Sequence, residues 1–234
     1  MTGTFINVAA IIVGGMLGVF FGRHLLENIK NTILASMGLF TTAIGFQMFL
    51  KTEKPLVVLV ALIIGVLLGE WWKIEYRIQS LGIWLEKQVR GGSEGKSSRF
   101  VRGFLSASLL FCTGPMAILG SISDGLRGDF LTLSIKSVLD GFISIAFAST
   151  LGMGVAFSAL PVLAYQGSIS LLAAKLDAII SPTMMSELTA TGGILLIGVG
   201  ISSILEIKKF PVGNFLPALA IAPLIVYILS LVIR

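Results

Sequence analysis

The sequence predicts an all-α membrane protein of about eight transmembrane helices, seven if one short segment does not cross, and three observations carry that prediction. Hydrophobic side chains make up 55% of the 234 residues and charged ones only 12%. With a mean hydropathy of +0.97, the chain has too little polar surface for a water-soluble globule. Apolar runs long enough to cross a bilayer, which takes about 20 residues, recur along most of the chain. Finally, the longest polar stretch is one block, Lys73 to Arg102, so little is left for a soluble domain. The same arithmetic excludes a disordered chain, a disulfide-built secreted scaffold and a nucleic-acid-binding domain.

Taken in order, the first run, Phe5 to Gly22, has no basic region ahead of it and no small-residue cleavage site, so it reads as a retained span. Spans two and three fall at Ile33 to Leu50 and Pro55 to Trp72. Gly14, Gly18 and Gly22, and again Gly65 and Gly69, follow small-xxx-small spacing, which favours close helix packing and would suit a homodimer. Beyond Trp71 and Trp72, the residues Ile74, Ile78, Leu81 and Leu85 recur at helical spacing beside Trp84, the pattern of an amphipathic helix lying in the membrane interface. The stretch Arg90 to Ser98, RGGSEGKSS, reads as a linker between two membrane halves.

The fourth span, Phe104 to Ile122, is interrupted at Thr113, Gly114 and Pro115, where proline removes a helical donor and a kink or break is expected. The fifth runs from Phe130 to Ala156. The sixth, Ala159 to Ala174, is short and ends at Lys175 and Asp177, so it is expected to be tilted or re-entrant. Leu188 to Leu205 and Val212 to Ile233 complete the set. The organisation is therefore a first membrane triplet (1–72), an interfacial helix and linker (73–102), two central helices with the Gly-Pro break (103–157) and a second triplet (158–234).

A formal charge of +5 is topological in such a chain, because Lys and Arg concentrate in cytoplasmic loops. The block from Lys73 to Arg102, the Arg23 to Lys30 connection and Lys208 with Lys209 then lie inside and both termini outside, leaving Lys51 and Lys54 outside against the rule. Ser36 to Gly65 resembles Thr191 to Pro223: Gly38 and Gly45 fall opposite Gly193 and Gly200, and each glycine-bearing helix runs into a charged turn and a Pro-led helix. Five spans separate the equivalents, so the two triplets face opposite ways, as in transporters built on inverted repeats.

An ionisable group within hydrocarbon is costly and marks function by default. Asp140 is the leading candidate, with Lys136 one helical turn away on the same face. The Thr113, Gly114 and Pro115 interruption would free backbone carbonyls, which inside a membrane must line a cavity or find protein partners. Gln166, in the suspected irregular helix, and Glu187, at the start of the seventh span, complete the proposed substrate or ion site. Asp124 and Arg127 suit an external vestibule or an ordinary solvated turn. A lone His24 cannot supply a multi-histidine metal site, and the lone Cys112 forms no intramolecular disulfide. No phosphate loop, dinucleotide fingerprint or nucleophile–base set is present, so neither a cofactor nor an enzymatic activity is expected.

The runs FVRGFLSASLLFCTGPMAILGSISDGLRGDF, KSVLDGFISIAFASTLGMGVAFSALPVLAYQG and ELTATGG, together with GLFTTAIG and LGEWW, are similar to a bacterial membrane-protein family known as domain-of-unknown-function family 554. The resemblance spans essentially the whole chain. It implies a multi-pass protein of the bacterial cytoplasmic membrane and brings no activity with it. The expected function is thus a secondary transporter or exporter of an ion or small polar solute, with a site near the bilayer midplane. A passive channel and a non-transporting packing or assembly protein are the alternatives.

Overall fold

A computed structural model of the chain describes residues 1–90 and 98–232. Most of the linker expected from Arg90 to Ser98 therefore lies outside the described residues. Those residues are all-helical and contain no strand. Helix α1 covers Thr2–Gly22, α2 Glu27–Phe49 and α3 Pro55–Trp72, each long and apolar enough to span. Helix α4 (Ile74–Arg90) covers the amphipathic stretch: Ile78 and Leu85 pack against Phe100 and Phe104, while Tyr76, Leu81 and Trp84 stay exposed. Helix α5 (Ser98–Thr113) starts inside the stretch read as loop and gives way to α6 (Pro115–Arg127) across a 62° bend. Helices α7 (Leu131–Leu151), α8 (Gly154–Phe157), α9 (Ala159–Leu171), α10 (Ala173–Asp177), α11 (Pro182–Gly198) and α12 (Ala218–Val232) follow.

The described helices include seven candidate spans, or eight with the bent α5–α6 pair taken as one. The segment doubted from sequence, the sixth, is one of them. It begins at Gly154 rather than Ala159, because the chain turns at Gly152, whose φ of 80° suits glycine, and so gains a full turn of length. The π-helical segment Val199–Ile204 continues α11, and a 3-10 turn, Val212–Phe215, leads into α12.

Local chemistry sets the boundaries. Pro55, Pro115 and Pro182 stand at first helical positions, where a missing N–H costs nothing. The Ser181 side chain accepts the Met184 N–H at 3.2 Å, and Gly128 ends α6 in the left-handed conformation with φ of 68°.

Glycines set the packing. Gly14, Gly18 and Gly22 of α1 lie against Gly141, Ile145 and Ser149 of α7, and Gly3 lies against Leu133, so the two helices run parallel with their backbones in contact. A Cβ on Gly45 of α2 would sit 2.6 Å from the Gly193 carbonyl of α11, and one on Gly200 would sit 2.9 Å from the Gly38 carbonyl, so that pair is antiparallel. In the same way, Gly65 of α3 meets Ala218 and Gly69 meets Asn214 before and within α12. The glycine faces are therefore used within one chain. These directions place the connections holding Arg23, Lys30, Lys73, Arg77, Arg99, Arg102, Lys208 and Lys209 at one end of the bundle, the basic end. Lys51, Lys54, Arg127 and Lys175 lie at the other.

Candidate functional site

Near the middle of α7, Lys136 and Asp140 form an ion pair one turn apart, each only 5% exposed. The seam with α1 brings Asn7 to the same carboxylate: its Nδ2 donates to Asp140 Oδ2 at 3.1 Å. From the third side, the last turn of α5 places the Phe111 ring with its centroid 5.6 Å from Lys136 Nζ, within cation–π range. Three helices thus enclose one buried charge pair. A buried pair in low dielectric needs further hydrogen bonds to offset its desolvation, and Asn7 supplies one, to the same carboxylate oxygen that Lys136 bonds.

Directly after Phe111 the backbone breaks. Helix α5 ends at Thr113, Gly114 is extended (φ −77°, ψ 144°), and α6 starts at Pro115. The break frees the last carbonyls of α5, and the positive Lys136 beside that C-terminal end suits its dipole. The Thr113 carbonyl lies against α11 at Gly192, where a Cβ would be 2.6 Å away. The Thr113 hydroxyl, in contrast, turns back to the Leu110 carbonyl at 3.5 Å. Gly114 and Pro115 are half-buried, and a Cβ at Gly114 would meet nothing within 4 Å, so the break borders open space while the charge pair beside it is enclosed.

Gln166 of α9 is fully buried, and neither its Oε1 nor its Nε2 has a hydrogen-bond partner. Thr4 Oγ1 and Asn7 Oδ1 on α1 are likewise buried without partners. Each such group costs about 1–3 kcal/mol unless something satisfies it. Helix α1 runs antiparallel to α8 and α9, with Met1 beside Gly167 of α9 and Gly15 beside Ala156 of α8, so Thr4 lies close to the level of Gln166. The neighbours of Gln166 on α9, Tyr165 and Ile169, pack with Ile118, the fourth residue of α6 after the break. On the far side of those residues an apolar cleft of about 770 Å³ opens between α6, α9, α11 and α12.

Glu187 sits apart from this group. It is fully buried on α11 and accepts from Thr52 Oγ1 at 2.6 Å and from the N–H groups of Glu53 and Lys54 at 2.8 Å each. It thereby caps the start of α3, and its charge suits that helix's dipole. Asp124 is 3% exposed rather than solvated: its Oδ2 accepts the Gly3 N–H at 3.0 Å and its Oδ1 lies 3.2 Å from the Met1 amino group, which caps α1. Arg127 is exposed nearby.

Asn7 and Thr4 were missed in the sequence as site residues, although an amide inside the apolar run FINVAA carries the same signal that singles out Asp140. At the basic end a polar recess of about 500 Å³ is lined by Glu75, Arg102, Ser202 and Glu206. Burial pushes the Glu75 carboxyl above its ordinary value, against hydrogen bonds from Gly213 and Gln79. Burial raises Glu206 too, but hydrogen bonds and charge from Lys209 and Arg102 outweigh it and hold that carboxyl low. No group of three or more His, Cys, Asp or Glu side chains suited to a metal ion occurs among the described residues.

Comparison with known proteins gives whole-length similarity. An uncharacterized membrane protein of Bacillus subtilis (strain 168), YdfK, is 34% identical over 233 residues, which is 98% of this chain and 97% of the relative. An uncharacterized protein of Escherichia coli (strain K12), YqgA, is 32% identical over 221 residues, 94% of each chain. A family model described as a protein of unknown function (DUF554) matches residues 2–227. No solved structure matches the chain.

Proposed function

The chain belongs to the DUF554 family of membrane proteins, and from that starting point we propose that it is a secondary transporter or exporter of an ion or small polar solute. We place it in the bacterial cytoplasmic membrane with the basic end inside. One observation carries the reading: a buried acid–amine pair halfway along a span, directly beside a backbone break in the neighbouring span. Hydrocarbon tolerates either feature only where protein or a polar path compensates it, and transporters bring the two together at their binding sites.

The division of labour follows from the geometry. Asp140 takes up and releases a cation or proton, with Lys136 as the competing counter-charge. The unpartnered Gln166 amide, Thr4 hydroxyl and Asn7 carbonyl oxygen provide donors and acceptors for a polar solute on the other side of the acid. The break at Thr113 to Pro115 is the joint at which α5 and α6 change their angle.

The glycine crossing supports an inverted repeat as the moving architecture. Gly38 aligns with Gly193 and Gly45 with Gly200, while Gly45 touches Gly193 and Gly200 touches Gly38. That reciprocity is what two copies make across a two-fold axis. Glu187 then belongs to the clasp between the two hairpins and not to the solute path.

The test is flux. Purified protein reconstituted in liposomes and challenged with stepped gradients of protons, Na⁺, K⁺ and small amino acids or organic acids should give transient electrogenic currents. Asp140→Asn should abolish them. Sustained single-channel current would make the protein a channel. Silence across the panel, with Asp140→Asn leaving cellular behaviour intact, would leave the packing role.

A further inference from the structure

At one corner of the basic end the ends of several helices meet and carry more cations than acids. Arg23 directly follows α1, Lys30 stands in the first turn of α2, and Arg99 and Arg102 lie near the start of α5. Two adjoining recesses, of about 220 and 250 Å³, open between these residues and the end of α7, with Lys30, Arg99, Thr150 and Leu151 in the walls of both. Glu27 accepts from Lys30 Nζ at 3.2 Å and from Arg99 Nη2 at 3.1 Å, so one carboxylate serves two cations. Glu206 is divided in the same way between Arg102 Nη1 at 2.8 Å and Lys209 Nζ at 3.1 Å. Each pairing leaves a positive charge unmatched.

Both carboxylates line the smaller recess. The larger one is walled by Arg23, Lys30 and Arg99, and among the described residues no carboxylate lines it. The Lys30 side chain is only 18% exposed, so it lies in the wall rather than reaching out into water. Helix α1 ends at Gly22 and α7 at Leu151, both on the rim, so the recess sits where two spans leave the apolar layer. Val19 lines it as well, and Phe20 and Phe21 beside Val19 are exposed. A soluble anion would use the cations alone, whereas a phospholipid uses both the cations and the apolar face of α1.

We propose that the corner between α1, α2, α5 and α7 binds the phosphodiester of an anionic phospholipid. The planar guanidinium groups of Arg23 and Arg99 suit paired phosphate oxygens, and Lys30 supplies a third charge. The acyl chains lie along α1 at Phe20 and Phe21. The lipid ties the start of α5, the first half of the bent span, to α1, α2 and α7. The site is about three turns of α7 from Asp140 and does not depend on the transport reading.

Native mass spectrometry of the full-length, delipidated protein in neutral detergent gives the test, with dioleoylphosphatidylglycerol and dioleoylphosphatidylcholine as probes and inorganic phosphate as competitor. One phosphatidylglycerol should bind more tightly than phosphatidylcholine, and inorganic phosphate at equal concentration should not displace it. Arg23→Gln, Lys30→Gln and Arg99→Gln should each weaken binding about fivefold, as expected for one cation at an anionic lipid surface, and the triple variant about a hundredfold. Arg77→Gln, Lys87→Gln and Lys208→Gln together remove the same charge from exposed positions outside the recess and should leave the affinity unchanged. The single variants at the exposed Arg23 and Arg99 carry the test if the triple variant does not fold. Equal losses in the two triple variants would overturn the proposal, because net charge alone would then attract the lipid. Equal binding of phosphatidylcholine would overturn it too, and displacement by inorganic phosphate would make the recess a soluble-anion site and remove the lipid.

Discussion

At Glu187 one fully buried carboxylate closes a turn 133 residues away, accepting from two backbone N–H groups and a hydroxyl. Removing it takes away the acceptor of all three hydrogen bonds at once. Glu187→Ala is therefore expected to cost about 3 kcal/mol of stability, read as a lower unfolding midpoint in detergent. Loss of flux without that shift would move Glu187 back into the solute path. The contrast with Asp140 shows what single residues disclose. Asp140 and Lys136 are legible because their partnership is local, four positions apart on one helix. The partners of Glu187 and Asp124, and the attachment of Asn7 to Asp140, come from other helices and leave no trace in local spacing.

At the scale of elements, hydropathy locates the spans because each must clear roughly 30 Å of hydrocarbon. The break at Gly114 is legible from glycine and proline together interrupting an apolar run, although Pro223 stands inside α12 without ending it. Other boundaries were hidden for a physical reason. The turn at Gly152 falls within an unbroken apolar run, so hydropathy does not dip there and the sequence carries the fifth span on to Ala156, past the end of α7 at Leu151. Likewise α5 starts at Ser98 among polar residues, because its first turn lies at the basic end, outside the apolar layer. The glycine stripes signalled close packing but not the partner, which proved to be within the chain. The crossing of α2 and α11 is the contact to test: Gly45→Val puts methyl groups where the Gly193 carbonyl and Ile197 already lie. It should lower stability by about 2 kcal/mol, as overpacking does, in a thermal melt of the detergent-solubilised protein. A neutral outcome would show that the helices do not cross there.

For the whole molecule, the broken span and the enclosed charge pair stand at one depth. Polar recesses lie at the basic end, and an apolar cleft lined by α6, α9, α11 and α12 lies elsewhere in the bundle. The central claim is that residues 113–115 are a point reached in turn from either side of the membrane. Gly114 suits the measurement, since its surroundings accept a side chain. In a Cys112→Ala background, which removes the lone native cysteine, Gly114→Cys in sealed, oriented vesicles should react with a membrane-impermeant thiol reagent. Reaction is expected from one side or the other, with a pH gradient changing which side is favoured. A cysteine at 114 that stays unreactive from both sides, whatever the gradient, would contradict the account.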